Sequence, residues 1–404
     1  MKKIAAILLI LVLVIPYFAS AEEAGKGTVS SIIIDAETGQ ILYGNNTETE
    51  FYPGALSDIA LLDLYSRNIN SADIVTVSEN AFNSVNPVFS SIGALKGEKF
   101  SAEALLNAIN LISAEDAKYA LSEALGVSKE EFNNLLNENI KKSGALSTDL
   151  SYIFSKTPEK SYSTVYDIAN ILKYAYKNEK FRKVYNNSSY KLPTTDLTFD
   201  ERNLERRVKL FEKKEGQDYD VTGYTYDFNT YSKNSAAFYA DNGKRKIICV
   251  ITGCASFEKL ESEAQKLAEY GFSGFVEFTL KKDKIPDLEE DLHLYKASED
   301  VTFLLKADDK KSGFKYEYSK EGIKVFNDKG SLLAIAPVSV TKQFPVYIII
   351  IRILLFSLLA IVILVLCLAF YGVRRHNLKK KARREKLKKI MSESENIQKE
   401  KEKV

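Results

Sequence analysis

Histidine is almost missing from this chain. There are two in 404 residues, His293 and His376. His376 falls in a basic tail, so the body of the protein keeps a single imidazole. That shortage argues against a histidine-built zinc site and against Ser-His catalysis in the body. Cysteine is scarce too. Of three, Cys367 lies in an apolar run near the C-terminus, while Cys249 and Cys254 border the segment 250–253. Five extended steps would hold their Cα atoms about 16 Å apart, beyond disulfide reach. Both are expected to be free, buried thiols. Neither has metal-ligand spacing, so no metal site and no cofactor are assigned.

A strongly basic body is also lacking. The formal net charge of +2 averages over unlike segments. Residues 372–404 carry 13 Lys/Arg against 5 Asp/Glu, and residues 22–351 carry a net −9. An acidic body speaks against nucleic acid as a partner.

Two long apolar runs stand at the ends. Lys2 and Lys3 precede an apolar stretch from Ile4 to Phe18, and Ala19-Ser20-Ala21 follows as a small-residue cleavage site. Residues 1–21 thus read as a secretory signal. Ile353 to Tyr371 is an uncharged run of 19 residues. As a helix it would cover ~28 Å, close to a bilayer core. The span is placed at 346–371, with Arg352 snorkelling to the headgroups. The cluster Arg374-Arg375 through Arg384 puts residues 372–404 in the cytoplasm by the positive-inside rule and on anionic inner-leaflet lipid. The expected topology is a large exported body, one span and a short inner tail at the cell membrane.

Within the body, residues 29–43 read as a hairpin about Asp35-Ala36-Glu37-Thr38-Gly39. A helix is expected from Leu56 to about Ser66. Residues 101–142 read as helices, with Ser101 as an N-cap and Ser128-Lys129-Glu130-Glu131 as a capping box. Another helix covers 164–177, and 186–219 shows no core pattern. Strands at 232–240 and 245–253 and a helix at 257–270 complete an α+β body, helices on an antiparallel sheet. Residues 279–343 alternate in short apolar segments and read as a small β domain or stalk.

Several segments together resemble the low-molecular-weight penicillin-binding proteins, serine D-Ala-D-Ala carboxypeptidases. They are Ser31 to Tyr43, Tyr52-Pro53-Gly54-Ala55-Leu56-Ser57-Asp58, Val75 to Ala81, Gly97 to Ser101 and Ser163-Thr164-Val165-Tyr166-Asp167. The resemblance implies a penicillin-recognising, β-lactamase-like transpeptidase fold over about 22–278. It also implies an active site in which four chemical positions depart from the family pattern. Ala55 stands where the family has its acylated serine, and Asp58 where it has the lysine three residues on. Ser113-Ala114-Glu115 replaces Ser-x-Asn, keeping Ser113 but not the asparagine. Val221-Thr222-Gly223 replaces Lys-Thr-Gly. An alanine methyl cannot attack a carbonyl, so no catalytic residue is expected.

Ser113, Glu115, Asp58, Thr222 and Gly223 remain the candidate binding positions. By homology Asp58 and Glu115 lie within a few Å of each other. At ~5 Å their repulsion would reach ~3 kcal/mol, so the pair either keeps a proton or recruits a cation. Drift in a retired site is the plainer alternative. The expectation is a pseudoenzyme that binds or scaffolds at the cell wall, with peptidoglycan or a cell-wall enzyme as partner. An active carboxypeptidase using atypical residues and a single-pass wall sensor are the other readings.

The signal reading predicts a mature chain beginning at Glu22. Intact-mass measurement on protein extracted from membranes should show residues 1–21 removed. A full-length mass would mean an uncleaved signal anchor.

Overall fold

The structure, a computed structural model, describes residues 30–151, 153–154, 160–206, 208–211, 213, 215–307, 309–343 and 346–401. The expected signal at 1–21 lies outside the described residues.

The strands are β1 (Ser30–Asp35), β2 (Ile41–Asn45), β3 (Ile74–Thr76), β4 (Lys99–Ser101), β5 (Ser189–Leu192), β6 (Arg202–Glu205), β7 (Asp220–Asn229), β8 (Lys233–Asp241), β9 (Lys246–Cys254) and β10 (Phe275–Leu280). They continue as β11 (Leu288–Glu290), β12 (His293–Ala297), β13 (Val301–Lys306), β14 (Lys315–Tyr318), β15 (Ile323–Phe326), β16 (Leu332–Ala336) and β17 (Val338–Lys342). The helices are α1 (Asp58–Asn68), α2 (Glu79–Ser84), α3 (Ala102–Ile112), α4 (Glu115–Ala124), α5 (Lys129–Lys142), α6 (Val165–Ala175), α7 (Glu179–Tyr185), α8 (Phe257–Ser273) and α9 (Val346–Lys401). A 3-10 turn, Gly54–Ser57, runs directly into α1.

The main sheet has the order β2-β1-β9-β8-β7, and its neighbouring strands pair antiparallel. Its inner strands are buried on both faces, which explains the unbroken Ile32-Ile33-Ile34 run. Side chains alternate across a strand. Ile32 and Ile34 enter one core with α1 and α3 to α7, while Ile33 enters the other with α8. Cys249 and Cys254 lie on β9 as free, buried thiols. The first hairpin turns where expected: Asp35 Oδ1 accepts the Thr38 N–H and hydroxyl, each at 2.7 Å, and Gly39 takes φ +82°.

Local signals hold at the helix starts. Ser101 and Thr164 accept the N–H three residues on, and Ser128 with Glu131 forms the capping box. The stretch 186–219 departs from its expected lack of core. It folds into the β5–β6 hairpin and buries Leu192, Leu204, Leu210 and Tyr219. Four-residue strands contribute one core side chain each, too few for a periodic signal. The buried Glu98 anchors this hairpin through Arg202, at 2.7 Å.

Contacts divide the chain into two units. One holds the described residues to Pro286 together with Ala297–Val338; the other holds Asp287–Lys296 with the described residues from Ser339 on. In the first unit, β10 pairs with β13 and β14-β15-β16 form a sheet over Phe303, Ile323 and Val325. In the second, β11-β12-β17 form a sheet, and α9 is the one helix among the described residues long and apolar enough to cross a membrane.

Ile33 has no exposed surface on β1, an inner strand of the sheet. Ile33→Ala should lose about 2–5 kcal/mol in a denaturant titration of the full chain in detergent. A loss below about 0.5 kcal/mol would contradict the two-faced core.

Candidate functional site

A cleft of about 980 Å³ opens between the start of α1, the α3–α4 corner and the end of β7. Ala55, Asp58, Ser113 and Glu115 all line it. Ala55 sits in the 3-10 turn that leads into α1, and Asp58 is the first residue of that helix. Ser57 is not a substitute nucleophile, because its hydroxyl is spent on the Gly54 carbonyl at 2.7 Å.

Ser113 closes α3 in the left-handed conformation, φ 55°. That turn lets α4 start two residues later and aims the hydroxyl at α1. Ser113 Oγ donates to Asp58 Oδ2 at 2.6 Å. It accepts from Lys118 Nζ at 2.7 Å, and the same ammonium lies 2.6 Å from Asp58 Oδ1. Asp58 is 1% exposed, and Oδ1 has no partner other than this ammonium among the described residues. Burial pushes the Asp58 carboxyl above its ordinary range, while Lys118 and Ser113 pull it back.

The expected repulsive contact between Asp58 and Glu115 is not formed. Lys118, one helical turn beyond Ala114, occupies the place that a bound cation would take. Glu115 instead turns to the neighbouring loop, accepting the Asn86 N–H at 2.8 Å. Its pKa is raised by burial and held down by Asn86 and Lys118. Among the described residues no group of three His, Cys, Asp or Glu could hold a metal. In this structure Asp58 is paired with Lys118, and Glu115 forms a separate loop clasp. Asp116 clasps the same loop from below, accepting Ile92 and Ala94 N–H and the Ser91 hydroxyl.

The third expected segment is displaced. Val221, Thr222 and Gly223 do not line the cleft; residues 225–231 of β7 and its turn do. Thr222 instead bonds the Tyr176 hydroxyl at 2.8 Å, and Gly223 abuts Tyr185. The cause is length: β7 runs for ten residues, with a bulge between Val221 and Gly223, and its far end reaches the Gly54 turn. Among the described residues no cation lines the cleft in the part of the family's third-motif lysine. The nearby Arg206 is buried, donating to Asn187 O, Asn110 Oδ1, Tyr185 O and Tyr224 O.

Asp227 is the cleft residue that motif matching missed. Its carboxylate accepts the backbone N–H of Ala55 and the Asn229 side-chain amide. Burial pushes its pKa up, and both hydrogen bonds oppose that rise. Among the described residues the cleft lining holds three acids, Asp58, Glu115 and Asp227, against one lysine, with Tyr52, Phe89, Tyr119, Phe154, Phe228 and Tyr231 as aromatic walls.

Residues 19–255 match the D-alanyl-D-alanine carboxypeptidase family, and the chain belongs to it. It is similar to the D-alanyl-D-alanine carboxypeptidase DacF of Bacillus subtilis (strain 168), 27% identical over 299 residues, 70% of this chain and 74% of that protein. DacD of Escherichia coli (strain K12) is 28% identical over 273 residues, 65% and 67% of the two chains. Penicillin binding protein 5 of Haemophilus influenzae shares the fold with a TM-score of 0.60 at 18% identity, over 80% of this chain and 99% of that one.

Lys118→Met would leave the buried Asp58 carboxylate unpaired. Denaturant titration should show a loss of about 3–5 kcal/mol, and Asp58→Leu with Lys118→Met should recover most of it. An unaffected single variant would contradict the pairing. Glu115 gives a pH test. Its folded-state pKa is raised, so its contribution is complete below the ordinary glutamate value and fades as pH rises through the raised one. The stability of wild type relative to Glu115→Gln should therefore increase from pH 7 to pH 5. A decrease would contradict the environment described.

Proposed function

We propose that this chain is a membrane-anchored, non-catalytic member of the D-alanyl-D-alanine carboxypeptidase family that binds cell-wall peptide in its cleft. One observation carries the reading. The position that the family resemblance assigns to the acylated serine holds the methyl group of Ala55, and the N–H of that residue is already bonded to Asp227. Acyl transfer draws on a nucleophile and on preorganised donors for the developing oxyanion, the nucleophile's own N–H among them. Both are unavailable at Ala55.

Binding is supported by the size of the cleft and its aromatic lining, which suit a pocket for a small ligand. Its relatives' names point to D-alanyl-D-alanine peptides as the ligand class. The apolar run in α9 and the basic residues behind it support an exported body on a single anchor, with the tail on anionic lipid. A wall-sensing role would use the same topology, with the tail recruiting a partner.

A second reading rests on the Ser113 hydroxyl, 2.7 Å from Lys118 Nζ. A hydroxyl beside a lysine can serve as an activated nucleophile when the amine is free to take its proton. Here the lysine faces a buried carboxylate, and the serine proton points to Asp58. This arrangement favours a structural network over a catalytic dyad.

The full chain in detergent should sediment with purified peptidoglycan. Replacing both Phe228 and Tyr231 by alanine should weaken that association by roughly tenfold or more. Wild type left in the supernatant would contradict the binding reading. Release of D-alanine from a pentapeptide substrate above the level of Ser113→Ala would favour the second one.

A further inference from the structure

The cleft carries its own anion, and the local geometry shows how it is held. β7 is an edge strand, and its last residues lie against the Gly54–Ser57 turn. Gly54 adopts φ +52°, and a Cβ there would stand 1.8 Å from Asp227 Oδ2. Glycine at this position is what lets the carboxylate approach the backbone. Asn229 steadies it from the other side. Its side-chain nitrogen donates to Asp227 Oδ2 and to Ser232 Oγ at 2.7 Å, while its Oδ1 accepts the Tyr231 and Ser232 N–H groups at 2.8 and 2.6 Å. The first N–H groups of a helical segment are natural anion donors. Here one of them is satisfied from within the chain.

We propose that Asp227 is a built-in anion that occupies the Ala55 donor and makes the cleft select peptides whose end carries no carboxylate. This rests on the reading that the cleft binds wall peptide. Three features of the cleft converge on it. Asp227 covers the backbone donor that an incoming carboxylate would use. The single lysine lining the cleft among the described residues is bound to Asp58 and Ser113. Asp58 is matched by that lysine, and Glu115 adds a further carboxylate on the opposite wall. A carboxylate entering the cleft therefore meets like charge and a filled donor, whereas a neutral amide end meets neither penalty.

The test uses the full chain in detergent and two probes, N-acetyl-D-Ala-D-Ala and its C-terminal amide, titrated by calorimetry at pH 7. Wild type should bind the amide at least about tenfold more tightly than the acid, the scale of one uncompensated like charge. Asp227→Asn should close that gap to within about threefold by binding the acid more tightly. Equal affinities in wild type, or an unchanged gap in the variant, would overturn the selectivity. Hydrogen exchange on the segment holding Ala55 separates this proposal from the binding reading. In Asp227→Ala the Ala55 amide should exchange at least about tenfold faster than in wild type. Unchanged protection would overturn the proposal whether or not a peptide binds. Faster exchange with neither probe bound would support the internal anion and count against the binding reading. Asp227→Ser, which keeps a shorter acceptor, guards against a folding defect: it should give intermediate exchange.

Discussion

Asp58 and Lys118 hold the centre of this site together. A carboxylate almost without access to water needs a counter-ion, and one ammonium 2.6 Å away supplies it. The consequences spread outward. Ser113 is fixed between the two charges, so the corner from α3 to α4 is tied to the start of α1. Glu115, on the first turn of α4, is left free to clasp the loop at Asn86 instead of confronting Asp58. Lysine that the resemblance implies at the start of the first helix has been replaced by aspartate, and a lysine on the next wall supplies the opposite charge. The polarity is reversed, while an ion pair still joins the two walls.

That reversal explains how a family scaffold can keep its cleft with Ala55 at the expected nucleophile position. The ion pair, the Asp116 clasp and the Glu98–Arg202 bridge fix the residues around the cleft in place. Asp227 changes what the open space can accept. It places a carboxyl group against the Gly54–Ala55 backbone, where the proposed selectivity turns a ligand carboxylate away. The residue set is consistent with recognition of an uncharged wall peptide.

Most of the architecture was legible in the sequence. The Ile32-Ile33-Ile34 run, the Asp35 turn and the caps at Ser101 and Ser128 each express a local rule, and each forms as expected. The site was legible only in part. Ala55, Asp58, Ser113 and Glu115 converge because motif spacing before the α3–α4 corner is kept. Lys118 escaped notice because its partner is sixty residues away in the chain, although a buried Asp58 already demanded a cation. Val221, Thr222 and Gly223 lie outside the cleft lining; a matching Thr-Gly pair says nothing of strand length. β7 extends beyond it and delivers Asp227 and Asn229 to the cleft. Register at a sheet edge is set by pairing and bulges, which a short motif does not encode.

The central claim is that no side chain in this cleft forms an acyl bond. Incubating the full chain with a fluorescent penicillin, followed by denaturing electrophoresis and intact mass, tests it most directly. The account predicts no covalent adduct and an unchanged mass. A stoichiometric adduct that unlabelled penicillin competes away and Ser113→Ala abolishes would contradict it and assign the nucleophile to Ser113.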